Sequence, residues 1–535
     1  MIRRSLCSFV PVLACIVVLP AIASQATTHP SKPLKPPFKV LYTNDVTNIV
    51  GCVSPYHRKT QSFEPDMLRA SIDEAKDADV QLLQPGLGWV PWWKSELYPP
   101  KEHYQRFMDR TGLQPDSFGT YMLAGGDLVQ LFVETCRRQG IVPFISFRLN
   151  DVHHLEHAGR DTKQSQRVSL FYEQHPEYRL DPKGQSPNDR LQNWALPEVR
   201  EHKFAFIREL CKNYDIDGLE LDFMRHRRLF QLDETTSSQR RQIITDFVRR
   251  VRDLLDRTAK PGRHRWLCAR VPCFLSDHDP LGIDLPSLAE AGLEMANLSA
   301  FYFTLQQSDL ARIRRMVPDI AIYLEMTHCT MVGPSGGGYD SFTFRRTTDP
   351  QFYTTAHLAY ERGADGVSLF NFAYFREHGK PGRGPFNEPP FHILQHLGDP
   401  AWLAQQPQWY VMAQTSARVK GAPQMPTTLK PGQSRLFSLD MSPIMTGRNG
   451  LLRFMTANPS TDGCWTVTVN NRTLTPADCV ANPIDHPYEA EWNNTDRYQC
   501  FTCPPDLLED GQNEITIRLN SGPSATINYL DVILP

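Results

Sequence analysis

What this chain of 535 residues has little of narrows its function before any motif is read. Neither charge is in excess, with 57 Lys and Arg against 59 Asp and Glu. A nucleic-acid binder needs a basic field to neutralise phosphates, so nucleic acid is excluded as the main partner. No apolar run is long enough for a comfortable membrane span, which takes roughly 20 residues. The nearest candidate, Val10 to Ile22, is interrupted by Pro11 and Pro20. There is no internal repeat, and no low-complexity tract beyond one short polar stretch. A glycine-rich phosphate turn is also missing after the first strand-like run, where Asn44-Asp45-Val46-Thr47-Asn48 stands. That disfavours an open, doubly wound nucleotide-binding sheet.

What is present is an ordinary globular composition, 41% hydrophobic and 22% charged, which can bury a sizeable core. Arg3 and Arg4, the short apolar run and Ala21-Ile22-Ala23 together read as a secretory signal over residues 1–23. A Pro/Thr/Ser/Lys-rich tether follows over 24–37, and the protein is expected to be exported, to the periplasm, cell surface or medium. Cysteines can then oxidise. Four of the 12 cluster late, Cys464, Cys479, Cys500 and Cys503, with three possible pairings. They are expected to staple the C-terminal region, and no cysteine is expected to be a nucleophile. The 43 prolines point to many loops of fixed shape.

From residue 38 to about 400, short β-rich runs alternate with helical patterns. The runs are Val40–Thr43, Val80–Leu83, Val142–Phe147, Gly218–Phe223, Trp266–Val271, Leu298–Tyr302, Ala321–Met326 and Gly366–Phe370. Eight is the number that closes a (β/α)8 barrel of the α/β class. After a connector over 401–431, the texture changes at 432–535 to alternating strands and turns, such as Trp465–Val469 followed by Asn470-Asn471. This reads as a smaller all-β sandwich.

In such a barrel the chemistry belongs at the C-terminal ends of the strands. On the fourth run, alternation puts Leu219, Leu221 and Phe223 on one face and Glu220 and Asp222 on the other. Leucine and phenylalanine suit the helix-covered face, so the two carboxylates turn inward, where burial is costly without a use or a partner. Asp222, nearer the strand's end, is the catalytic candidate, with Glu220 one layer deeper to tune it or hold an arginine. Glu325 repeats the pattern on the seventh run. Two carboxyl groups facing across a pocket are what glycosidic cleavage needs, one to protonate the leaving oxygen and one to attack or activate water. The alternative role for Glu325 is support of an Arg or His.

Binding candidates surround this pair. Arg148, Asn150, Asp151 and His153 follow the third run, Arg225 and His226 the fourth, and Arg270 lies on the fifth. Such donors suit sugar hydroxyls or an acidic or sulfated sugar. Trp89 and Trp92 could stack sugar rings, and His328 and Asn371 lie at the tops of the last two strands. Asp151, His153 and His154 could instead hold a metal for a hydrolase or deacetylase, although no regular ligand spacing continues elsewhere. No metal or cofactor is expected. A non-catalytic sugar-binding barrel is the other alternative. Residues 333–338, rich in glycine, read as a rim loop rather than a phosphate cradle.

The stretch Asn193-Trp194-Ala195-Leu196-Pro197-Glu198-Val199-Arg200, with Tyr214-Asp215-Ile216-Asp217-Gly218-Leu219-Glu220-Leu221-Asp222-Phe223, resembles the glycosyl-hydrolase-like family-ten barrels. The resemblance implies a TIM barrel, export and action on polysaccharide. The chain departs from that pattern at the strand's end, where Asp222-Phe223-Met224-Arg225-His226 replaces paired Asp and Tyr. In some other barrel clans an Asp at the end of strand four is the nucleophile, with the acid on a later loop. Asp277 and Asp279, after the fifth run, fit that arrangement. The segment from Leu507 to Val532 looks like the galactose-binding-like sandwiches appended to such enzymes.

Overall fold

The computed structural model describes residue 1 and residues 35–44, 47–50, 62–87, 89–184, 186–301, 303–331, 344–375, 388–413, 421, 425–445, 447–459, 463–480, 483–484 and 495–535. The expected signal, most of the tether and the 333–338 loop lie outside the described residues.

Eight parallel strands close a barrel. They are β1 (Val40–Asn44), β2 (Val80–Leu83), β3 (Val142–Arg148), β4 (Gly218–Asp222), β5 (Trp266–Pro272), β6 (Met295–Ser299), β7 (Ala321–Thr327) and β8 (Gly366–Phe370). Each pairs with its neighbours in chain order, and β8 returns to β1 with Val40 beside Val367. The outward faces, such as Leu219, Leu221, Leu267, Ala269 and Ile322, pack under the helices in one large apolar cluster. The sixth strand starts three residues earlier than the 298–302 run. Phe301 has φ 69°, a left-handed conformation that ends the strand before it. Asn297, turned inward, hides the strand in the sequence by breaking its apolar pattern.

The helices begin where local chemistry allows. Those the sequence shows plainly are α1 (Pro65–Glu74), α4 (Leu128–Gln139), α5 (Pro197–Asn213), α6 (Ser237–Thr258), α7 (Leu285–Glu290) and α9 (Asp349–Glu361). Proline at the first turn starts α1 and α5, while Asp127 caps α4 and a Thr236–Gln239 capping box opens α6. Two further helices, α2 (Pro100–Thr111) and α3 (Ser117–Leu123), fill the long β2–β3 connection, and α8 (Leu310–Met316) follows β6. Among the described residues no helix is long and apolar enough to cross a membrane.

The barrel interior is stacked in layers of different polarity. Its floor is apolar, with Leu41, Leu82, Phe144, Cys268, Met295 and Tyr323 among the side chains packed there. Gly218 is required at that level, because a β-carbon would lie 2.4 Å from the Phe144 ring. Above the floor come polar layers that hold Glu220 and then Asp222, Arg270 and Glu325. The Tyr214-Asp215-Ile216-Asp217 motif sits at the opposite, N-terminal end of β4. There Asp217 pairs with Arg137 at 2.7 Å, Asp215 pairs with Arg263 at 3.1 Å, and the Tyr214 hydroxyl donates to Asp127 at 2.7 Å. At that end of a barrel such a network serves stability rather than chemistry.

The C-terminal region is a two-sheet sandwich. One sheet has the order β9 (Gln408–Ala413), β18 (Ala525–Leu534), β12 (Gly450–Thr456), β16 (Tyr498–Cys503), β15 (Thr475–Pro476), with β10 (Thr427–Leu429) also on β18. The other has β11 (Ser434–Met441), β17 (Gly511–Ser521), β13 (Cys464–Val469), β14 (Arg472–Thr473). Phe437, Leu452, Phe454, Val467, Ile515, Ile517, Leu530 and Val532 fill the space between them. Asn470 and Asn471, at φ 47° and 65°, make the two-residue turn of the β13–β14 hairpin. Strands β9 and β10 fall inside the stretch read as a connector, so the sandwich starts earlier than the change in texture. Strand β9 also meets the barrel. Gln306 donates to the Trp409 carbonyl at 3.0 Å and accepts from the Val411 N–H at 2.6 Å, and the Trp409 N–H donates to Thr354 at 2.7 Å. Of the four late cysteines, Cys479 and Cys500 form a disulfide, while Cys503 is a buried thiol and Cys464 an exposed one.

Candidate active site

Strand register places the reactive candidates. Arg148, Asp222 and Arg270 are neighbours across β3, β4 and β5, so three charged side chains enter the barrel at one level. Arg270 is 1% exposed and organises that level. Its Nε and Nη2 donate to both oxygens of Glu325 at 2.6 Å, and its Nη1 donates to Asp222 Oδ1 at 3.2 Å. The Ser299 hydroxyl adds a third bond to Glu325 at 2.6 Å. Glu325 is thus paired with Arg270, the arrangement expected of the supporting role that the sequence left open. Both its oxygens are held, and its side chain has no exposure. A bidentate guanidinium–carboxylate pair in a dry layer is strong and geometrically fixed.

Asp222 differs. Oδ1 accepts from the Met224 N–H at 2.8 Å, the Arg225 N–H at 3.3 Å and Arg270, while Oδ2 accepts from no described residue. One oxygen is anchored and the other has no bonded partner among the described residues.

Glu220, fully buried one layer below, accepts from Ser146 at 2.6 Å and Asn297 at 3.1 Å. It holds no arginine, contrary to one of its expected roles. Burial and the neighbouring Asp222 push its pKa up to about 7, against the pull of Arg270.

The mouth carries a second network. Asp151 accepts from Arg148 at 2.8 Å and from the His153 backbone N–H at 2.8 Å, with His153 Nδ1 also bonded to it. Arg225 donates to His153 Nε2 at 2.7 Å, which fixes the tautomer with its hydrogen on Nδ1. Burial would raise the Asp151 pKa, but His153 and Arg148 outweigh it and hold the carboxyl well below its usual range. His226 Nδ1 accepts from the Val152 N–H at 3.3 Å, leaving Nε2 to carry the hydrogen.

Asp151, His153 and His226 bring ligand-type atoms within 4.8 Å of one another. The histidine that joins Asp151 and His153 is not the expected one. His154 is not in this group but faces Arg167, 3.3 Å from its Nε2. Arg148 already occupies Asp151 Oδ2, Arg225 occupies His153 Nε2 and the Val152 N–H occupies His226 Nδ1, so the three side chains are engaged in a salt and hydrogen-bond network.

Other expectations change as well. Asn150 is a clamp rather than a sugar ligand, donating to the carbonyls of Gln192 and Arg228 at 2.9 Å each. Trp92 and Trp89 are buried and offer no open ring face. Trp92 packs edge-on against Phe118, and Trp89 lies under Lys203. His328 and Asn371 are buried at the tops of β7 and β8. Asp279 is held by Ser237 and Arg240 at the start of α6 and does not line the cavity that Asp277 lines. Asp277, paired with Arg227 at 3.0 Å, lines the site.

A cavity of about 310 Å3 opens beside this layer, walled by Met224, His226, Phe230, Leu281 and Phe301, with Arg227 and Asp277 at its polar side. Its size lies at the lower end for small-ligand sites. A smaller cavity of about 40 Å3 lies across the mouth among Trp89, Phe147, Arg148, Asp151 and Lys203. Five non-glycine residues in left-handed conformation stand just after barrel strands, Trp89 (φ 71°), His154 (63°), His226 (53°), Phe301 (69°) and Asn371 (61°). Each costs on the order of 1–3 kcal/mol, and such residues gather where a site must be held in one shape. Lys203 and Ser299 were not among the sequence candidates. Lys203 was legible as a lysine on the stripe Val199, Lys203, Ile207, Leu210, where α5 is otherwise apolar.

No family model matches the chain, and no curated protein matches it. Solved structures do. An α-L-fucosidase of Paenibacillus thiaminolyticus is 12% identical over 68% of this chain and 48% of its own, with TM-score 0.39. A GH36 α-galactosidase of Geobacillus stearothermophilus in complex with stachyose is 10% identical over 93% and 55%, at TM-score 0.36. A cycloisomaltooligosaccharide glucanotransferase of a Paenibacillus species is 10% identical over 93% and 57%, at 0.32. The chain thus spans about half the length of these enzymes. What the site can do is read from its own geometry.

Proposed function

We propose that the protein is a glycoside hydrolase that acts on a polysaccharide or complex glycan outside the cytoplasm, with Asp222 as its nucleophile. The observation that carries this reading is the divided environment of Asp222. Three donors fix Oδ1 in a dry layer, Oδ2 is left without one, and Met224, two residues on, lines the 310 Å3 cavity. An anchored carboxylate beside a sugar-sized, partly aromatic pocket suits attack on an anomeric carbon.

Glu325 acts through Arg270, as a positioning residue. The second carboxyl that the chemistry needs is Asp277, which lines the cavity as Glu325 does not. In this reading the entering substrate displaces Arg227, and Asp277 takes up a proton from solvent in the guanidinium's place. It passes that proton to the leaving-group oxygen as Asp222 attacks the anomeric carbon and the glycosidic bond breaks. Asp222 then carries the sugar as an ester until water, activated by the same Asp277, releases it.

The test is a screen of purified protein against plant, algal and mucin glycans, with Asp222→Asn and Asp277→Asn beside it. Asp222→Asn keeps an acceptor for the Met224 and Arg225 N–H groups, so it should fold and lose at least about 10³-fold in kcat. The product should first appear with the anomeric configuration of the substrate. Undiminished hydrolysis by Asp222→Asn, or an inverted product, refutes the nucleophile assignment. Sugar binding without hydrolysis of any glycan would favour a binding protein on the same barrel.

A further inference from the structure

Lys203 has no role in the chemistry above, yet its placement is unusual. It is 6% exposed, midway along the buried stripe of α5. Its ammonium nitrogen lies 3.0 Å from the centre of the Trp89 indole and 5.2 Å from that of Phe147. Among the described residues no carboxylate bonds to it. Asp151 acts on it only through its field. A cation–π contact returns less than the cost of withdrawing an ammonium from water. The lysine also lines the 40 Å3 cavity, whose wall holds Arg148 and Asp151 as a bonded ion pair at 2.8 Å, so among the described lining residues Lys203 is the cation without a bonded counter-charge. Trp89, whose ring supports the ammonium, is held in a left-handed conformation at φ 71°.

We infer that this cavity is an anion subsite that takes the carboxylate or sulfate group of an acidic sugar, with Lys203 as its counter-charge. A volume of 40 Å3 holds a few heavy atoms, which suits an oxyanion group and not a sugar ring. The walls of Leu87, Trp89 and Phe147 exclude water, which strengthens an ion pair formed there. Arg148 sits beside Asp222 across the β3–β4 pairing, so a ring whose charged substituent enters this cavity lies at the mouth above the nucleophile. Burial holds the Lys203 amine well below its usual pKa when nothing faces it. An entering anion supplies the charge that the ammonium lacks. The inference rests on the glycosidase reading for its substrate class, and not for the subsite itself.

The experiment is calorimetric titration of the full chain with glucuronate, glucose 6-sulfate and glucose, repeated on Lys203→Met and Lys203→Gln. Both variants remove a buried amine that has no bonded counter-charge among the described residues, so their melting temperatures should match or exceed the native one. One of the two anionic sugars should bind at least about tenfold more tightly than glucose, and which one does so tells carboxylate from sulfate. That advantage should vanish in both variants, with the affinity for glucose unchanged. Equal affinities for all three sugars in the native protein, or an anionic preference that survives in both variants, overturns the subsite. Tight anionic binding with no hydrolysis of any acidic glycan leaves the subsite standing and removes the glycosidase reading.

Discussion

If Arg270 and Glu325 form a strut under Asp222, separating them should damage the fold before it damages chemistry. Removing one partner of a buried, hydrogen-bonded pair costs about 3–5 kcal/mol, because the other charge is left uncompensated. Arg270→Met leaves Glu325 with the Ser299 hydroxyl alone, and Glu325→Gln leaves the guanidinium with Asp222 as its sole ion partner. The barrel has about 360 residues, and at ~2.1 cal/mol/K per residue its unfolding entropy is about 0.75 kcal/mol/K. Each single variant should therefore lower the barrel's melting temperature by about 4–7 °C in scanning calorimetry. The double variant removes both charges, and Asp222 keeps its two backbone donors. Its loss should fall short of the sum of the singles by about 2–3 kcal/mol, as expected for directly coupled groups. Additive losses would refute the strut. So would a Glu325→Gln variant that melts with the native protein and has no activity, which would make Glu325 a reacting group.

Three further outcomes follow from features of the fold. Glu220 has its pKa raised to about 7 from 4.5, so the folded state keeps a proton that the unfolded chain releases. Its contribution is harmless below pH 4.5, falls by about 3 kcal/mol as pH rises to 7, and is level above that; Glu220→Gln should gain on the native protein in melting temperature between pH 5 and 7, and a constant gap would refute the shift. Gly218→Ala should fail to fold or lose several degrees, because its methyl meets the Phe144 ring, and Phe144→Leu should restore part of the loss in the same thermal scan. Reduction of Cys479–Cys500 should lower the sandwich's unfolding transition by about 3 kcal/mol, for a closed loop of this length, and leave the barrel's transition in place.

The sequence carried the barrel because its strands are buried on both faces and read as short, dense apolar runs. It carried the inward turn of Glu220 and Asp222 because alternation along one strand is a local rule. It displaced β6 by three residues, because Asn297 faces inward while Ala300 and Phe301 continue an apolar pattern beyond the strand's end. It did not show that Arg270 would choose Glu325. That choice spans β5 to β7 and depends on how three strands are staggered around a closed sheet, which spacing along the chain does not encode. The tryptophans misled for a related reason. A Trp-rich loop looks alike whether its rings face solvent or turn down onto α5, and only the folded packing against Lys203 and Phe118 separates the two.

Strand β9 has a consequence for how the two domains can be parted. It is the outermost strand of its sheet, and its free side is met by the amide of Gln306, which both donates to and accepts from the backbone as another strand would. The barrel thus caps an edge that would otherwise be open to pairing with a second chain. A sandwich expressed alone from residue 432 loses that strand and bares β18, and one expressed from residue 408 bares β9. Either fragment should recruit copies of itself, so this sandwich needs a new guard for its edge wherever it is grafted.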